Sequence, residues 1–89
     1  MKEFTYTVKD KNGLHARPAG KLATFAKQFS SIIRVQCNEK EADCKRLLSL
    51  MSLGAVCGSE LHFTVTGEDE AEAVRALEQY CYETMSLGE

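Results

Sequence analysis

In the run Asn12-Gly13-Leu14-His15-Ala16-Arg17-Pro18-Ala19, two side chains have types and spacing suited to chemistry. The imidazole of His15 is a nucleophile toward phosphorus. Arg17, two residues on, offers a fork of charged donors matched to phosphate oxygens. Pro18 lacks an N–H and fits only the first turn of a helix. The spacing therefore predicts a helix starting near Ala16, with His15 at or next to its N-cap. The turn Ala16-Arg17-Pro18 would then offer an anion its open backbone donors and the positive end of the helix dipole. A phosphoryl group on His15 would carry nearly two negative charges, and the dipole stabilises such a charge by about 0.3–1 kcal/mol, or about 2 when it is partly buried.

That magnitude suits a relay. Phosphoryl transfer passes through a loose transition state, so positioning and charge stabilisation supply most of the catalysis. A few modest donors would stabilise a phosphorylated imidazole without trapping the group. The chain has no Gly-x-x-x-x-Gly-Lys loop and no evident metal-binding carboxylate cluster, so it is not equipped to take phosphate directly from ATP. The plain alternative is that His15 is only a polar cap on a surface turn; Gly13, Arg17 and Pro18 at fixed offsets argue against it. His62 alternates with threonines on the outward side of a strand and is given no role.

The elements that must hold this segment follow from periodicity. Phe4, Tyr6 and Val8 alternate with threonines, a half-buried strand, and Asp10-Lys11-Asn12-Gly13 ends it as a turn. Ala16, Ala19, Leu22, Ala23, Ala26 and Phe29 form an apolar helix stripe. Ile33, Val35 and Cys37 mark a second strand. Asn38-Glu39 reads as a tight hairpin turn into a short strand over 40–44, although Glu39 is a poor fit where such turns favour glycine. A short helix is predicted over about 46–53, stopped by Gly54. Leu61, Phe63 and Val65 mark a further strand ended by Gly67. Glu68-Asp69-Glu70 then opens a final helix with its apolar face on Ala71, Val74, Leu77, Cys81 and Met85. The order β-α-β-β-α-β-α is most simply a single α+β domain, a four-stranded antiparallel sheet with helices on one face.

Composition bounds the rest. The chain has 89 residues, 44% hydrophobic and 27% charged, an ordinary globular balance in one domain. Disordered, collagen-like and membrane-spanning classes are excluded. Lys2 and Glu3 follow Met1 with no apolar signal segment, so a cytoplasmic chain is expected. The net charge of −2 hides a division: residues 1–46 hold ten Lys/Arg and five Asp/Glu (+5), and residues 47–89 hold one and eight (−7). Such asymmetry suggests a surface that meets an anion or an acidic partner. Cys37, Cys44, Cys57 and Cys81 have no C-x-x-C pair and no histidine at zinc-finger spacing, and they read as reduced packing thiols. A small metal- or thiol-handling domain is the competing reading, and it needs those thiols exposed and convergent.

The block Gly13-Leu14-His15-Ala16-Arg17-Pro18-Ala19, with a second block Met51-Ser52-Leu53-Gly54, strongly resembles HPr. HPr proteins are the histidine-containing phosphocarriers of the bacterial phosphoenolpyruvate-dependent sugar phosphotransferase system. The resemblance covers essentially the whole chain, residues 1–89. It implies an open-faced sandwich, a four-stranded antiparallel sheet covered on one side by three helices. It implies that His15 is phosphorylated on Nδ1 by enzyme I, itself charged by phosphoenolpyruvate, and that the group passes to sugar-specific IIA domains. Arg17 is the family's phosphate-stabilising residue. Neither a cofactor, a metal nor independent turnover is expected, and a diffusing shuttle is most simply a monomer, without nucleic acid and without membrane insertion. A regulatory HPr-like protein, whose phosphohistidine is read by a partner and not relayed to sugar, would retain the same His15 and Arg17.

The resemblance also implies a docking face. Leu47, Leu48 and Met51 cannot all point inward from so short a helix, and Leu47 or Leu50 is expected in the core. An exposed apolar patch ringed by Arg17, Lys21, Lys27, Lys45 and Arg46 would receive acidic partners, although each lysine alone is equally a solvated surface charge. Arg46 stands where many HPr proteins of low-GC Gram-positive bacteria have a regulatory serine. Arginine cannot be phosphorylated in that way and reverses the charge, so the kinase switch and the corepressor role that depends on it are expected to be absent. Ser49 and Ser52 are the nearby hydroxyls.

Overall fold

The computed structural model describes residues 1–85. Seven elements follow in order: β1 (Lys2–Thr7), α1 (Ala16–Ala26), β2 (Ile32–Cys37), β3 (Lys40–Asp43), α2 (Leu47–Met51), β4 (Glu60–Thr66) and α3 (Glu70–Glu83). The four strands make one sheet in the order β1-β4-β2-β3, antiparallel at every pairing. This is the predicted architecture: three helices and an open sheet.

Alternation fixes which side of the sheet faces inward. Phe4 and Tyr6 are buried while Thr7 is exposed; Leu61, Phe63 and Val65 are buried on β4; Ile33, Val35 and Cys37 are buried on β2. The register brings Phe4 opposite Phe63, their rings stacked at 4.5 Å, and Phe63 opposite Val35. On the other side, His62 lies between Glu3, 2.6 Å from its Nε2, and Thr5, 3.4 Å from its Nδ1. These contacts occupy its ring with neighbours across the strands.

Helix α1 closes over the inner side through Pro18, Ala19, Leu22, Ala23 and Ala26. Ala16 is exposed, and Phe29 is buried from the turn beyond the helix. In α3 the buried positions are Ala73, Leu77 and Cys81, so the predicted stripe is corrected at its start: Ala71 is exposed and Ala73 takes its place in the core. Ala73 is the position in phase, four residues before Leu77 and eight before Cys81, whereas Ala71 lies off that line. Glu70 turns back to accept the Gly67 N–H at 3.0 Å, and Asp69 accepts the N–H groups of Ser30 and Ser31 at 2.9 and 3.0 Å. Those anchors tie the start of α3 to the end of β4 and to the loop before β2.

The β2–β3 hairpin has Asn38 and Glu39 at φ 53 and 65. Two consecutive positive φ values are the signature of a type I′ turn, which suits the strand twist. Glu39 occupies the left-handed position usually filled by glycine, so the unusual turn residue changes the local strain and not the turn type.

Candidate functional site

The site is built where β1 ends and α1 begins. Asp10 through Gly13 fold back on themselves: the Asp10 carbonyl accepts the Gly13 N–H at 2.9 Å, and Asp10 Oδ1 accepts the Asn12 N–H at 2.8 Å. Gly13 has φ +73, and a Cβ there would collide with the backbone of Ala55 and Val56. Glycine thus serves both the left-handed conformation and the close approach. The next residue, Leu14, is buried and donates its N–H to the Ala55 carbonyl at 3.0 Å. The loop before α1 is clamped to the segment that follows α2.

His15 is the N-cap of α1, with extended backbone and no capping hydrogen bond from its side chain. Its carbonyl starts the helix by accepting the Ala19 N–H at 3.0 Å. No acidic residue occupies the first turn of α1, whereas α3 has Glu70 and Glu72 there. The imidazole, 35% exposed, places Nε2 at 3.2 Å from Asp10 Oδ2. Among the described residues Nδ1 has no hydrogen-bond partner. The Asn12 N–H holds the Asp10 carboxyl below its ordinary value against the opposing effect of burial, and the hydrogen bond and charge of His15 act in the same direction.

Sequence reasoning missed Asp10 as a member of this site, having read it only as a turn residue. Its contact with His15 is made through space after the chain reverses. The available signal was an acid five residues before the histidine, next to an Asn-Gly pair.

Arg17 is exposed on the first turn and shares with Lys21, Gly20, Thr24, Phe25 and Tyr80 the lining of a groove between α1 and α3. On α2, Leu50 is fully buried, whereas Leu47 and Met51 are partly open and Leu48 is 80% exposed. Leu50 is therefore the core member of that helix. Val56, also exposed, lies beside Gly13 and adds an apolar residue that no helical pattern announced.

The cations do not form one ring. Lys21 and Arg46 are exposed, but Lys45 donates its ammonium to the Phe29 carbonyl at 2.7 Å and so ties the segment after β3 to the turn beyond α1. Lys27 is the C-cap of α1, an eleven-residue helix, which puts it about 16 Å along the axis from the histidine end. Ser49 Oγ accepts the Asp43 N–H at 2.9 Å, and Ser52 Oγ donates to the Ser49 carbonyl at 2.6 Å. Of the cysteines, Cys37, Cys44 and Cys81 are buried and Cys57 is exposed.

The open-faced α+β sandwich, with a partly exposed histidine capping its first helix, is an architecture shared with known proteins over nearly the whole chain. The family model described as the PTS HPr component phosphorylation site matches residues 2–83. The chain belongs to the HPr family, the phosphocarriers of the phosphotransferase system. It is 37% identical over 84 residues to the phosphocarrier protein HPr of Mycoplasma capricolum, covering 94% of each chain. It is 44% identical over 77 residues to the HPr of Lysinibacillus sphaericus, covering 86% of this chain and 88% of that one. The crystal structure of HPr-C-His from Thermoanaerobacter tengcongensis superposes with a TM-score of 0.89 at 39% identity, over 100% of this chain and 98% of that one. No helix among the described residues is long and apolar enough to cross a membrane.

Proposed function

We propose that His15 accepts a phosphoryl group on Nδ1 from phospho-enzyme I and passes it to sugar-specific IIA domains in phosphoenolpyruvate-dependent sugar uptake. The observation that carries this reading is the disposition of the ring. It caps α1, is 35% exposed, and has Nε2 engaged by Asp10, leaving Nδ1 as the nitrogen without a partner. A phosphoryl group there meets the positive end of the helix and a first turn that contains Arg17 and no acid. The exposed apolar residues Leu47, Leu48 and Met51, with Lys21 and Arg46, supply the docking surface for donor and acceptor.

Incubation with phosphoenolpyruvate and enzyme I adds one acid-labile phosphoryl group, and His15→Ala abolishes it. Label then passes to a IIA domain, which separates a relay from a protein whose phosphohistidine is only read. A wild-type protein left unmodified by competent enzyme I from its own source would refute the reading. With Arg46 in the place of a regulatory serine, ATP and a serine kinase add nothing at Ser49 or Ser52; phosphate on either hydroxyl would overturn that expectation.

A further inference from the structure

We propose that Asp10 is a positioning residue for His15: its carboxylate holds the ring proton on Nε2, so that Nδ1 presents its lone pair and the charged ring formed on transfer keeps a partner. This rests on the reading of His15 as the phosphoryl acceptor. Asp10 is buried and held at both oxygens, Oδ1 by the Asn12 N–H at 2.8 Å and Oδ2 by His15 Nε2 at 3.2 Å. An ionised carboxylate only accepts hydrogen bonds. The proton in the contact with Nε2 therefore belongs to the ring. A neutral imidazole with Nε2–H has its lone pair on Nδ1.

The transfer balances without moving a proton. The Nδ1 lone pair forms the new bond to phosphorus while the bond from phosphorus to the donor atom breaks, its electron pair leaving with the donor. The ring, substituted on Nδ1 and still bearing Nε2–H, becomes cationic and faces the Asp10 carboxylate. On transfer to the acceptor the N–P pair returns to Nδ1, and the neutral ring reappears in its starting tautomer. Asp10 never touches the phosphoryl group.

Two substitutions separate this role from support of the turn. In Asp10→Asn the amide oxygen must take the Asn12 N–H, so the NH₂ faces His15 and donates to Nε2. The ring proton is driven to Nδ1 and the nucleophile is closed. In Asp10→Ser the hydroxyl can still serve the turn but is too short to reach the ring, which is left to choose its tautomer. A purely structural role for Asp10 leaves both variants near wild type. The experiment records long-range ¹H–¹⁵N spectra of the His15 ring at about pH 8.5, where an imidazole is neutral, and the initial rate of phosphoryl acceptance at limiting donor. Wild type shows Nε2–H. Asp10→Asn shows Nδ1–H and a rate about 10–100-fold lower, the usual effect of removing an orienting partner; Asp10→Ser falls between. A wild-type proton on Nδ1, or Asp10→Asn as fast as Asp10→Ser, overturns the proposal. The spectra need no phosphate, so a wild type that accepts none refutes the acceptor reading while the ring spectra still judge Asp10.

Discussion

Leu14 and Ala55, forty-one positions apart, are joined backbone to backbone at 3.0 Å, with Gly13 pressed against the same segment. The contact has no room for a side chain on Gly13, whose φ of +73 is also one that L residues avoid. Gly13→Ala is expected to destabilise the fold by about 1–3 kcal/mol and to slow phosphoryl acceptance, because the colliding atoms are backbone and the loop that yields carries His15. Urea unfolding and the rate at limiting donor check both halves. An unchanged midpoint would show that the loop accommodates the methyl group freely.

Opposite faces of α2 divide stability from docking. Leu48 is exposed and Leu50 fully buried. Leu48→Glu should leave stability within about 0.5 kcal/mol, yet slow transfer from the donor about tenfold, the equivalent of about 1.4 kcal/mol of docking energy. Leu50→Ala should cost about 2–5 kcal/mol of stability. Paired urea titrations and transfer rates measure the contrast; a Leu48→Glu protein charged at the wild-type rate would move the docking surface elsewhere.

Asp69 makes stability depend on acid pH. Its carboxylate bonds the Ser31 hydroxyl and the N–H groups of Ser30 and Ser31, which hold it below its ordinary value of 3.8. A carboxyl lowered in the folded state contributes stability that is complete above the unfolded value and lost as pH falls through the folded one. The relevant window therefore lies below about pH 4. Asp69→Ala should be less stable than wild type at pH 7, with the difference shrinking as pH drops through that window. Urea unfolding at pH 7, 5 and 3 follows it, and a difference constant with pH contradicts the linkage.

The thiols should divide one against three. Burial pushes Cys81 up to about 12 and raises Cys44 further, while Cys37 is enclosed and Cys57 exposed. A colorimetric thiol reagent is expected to modify Cys57 quickly in the native protein and the other three only in urea. Rapid loss of two or more native thiols would revive a thiol-handling role.

Much of this architecture was legible because short-range patterns decide it. Period two in Phe4-Tyr6-Val8 and Leu61-Phe63-Val65 marked the inner face of the sheet, and Pro18 placed the start of α1. Reading by pattern failed where two residues competed for one position or where a contact crossed the chain. In α3 two alanines compete for the first core position, and Ala73, in phase with Leu77 and Cys81 at four-residue spacing, meets the core in place of Ala71. Lys45 looked like a surface charge until the fold carried the Phe29 carbonyl to it. Asp10 reads as one more turn former, and its meeting with His15 exists only in three dimensions.

The sequence separation of its contacts gives the His15 loop a second consequence. Part of its support comes from far along the chain: Val8 exchanges hydrogen bonds with Ser59 and Gly58 at 2.9 Å, Leu14 binds Ala55, and β1 pairs with β4. Contacts spanning forty or more residues carry a large closure cost and form slowly. The clamp that ties the His15 loop to the segment after α2 therefore forms only when these distant parts of the chain meet. A copy in which they have not met has the histidine but not the clamp. The readiness of His15 thus depends on residues forty or more positions further along the chain.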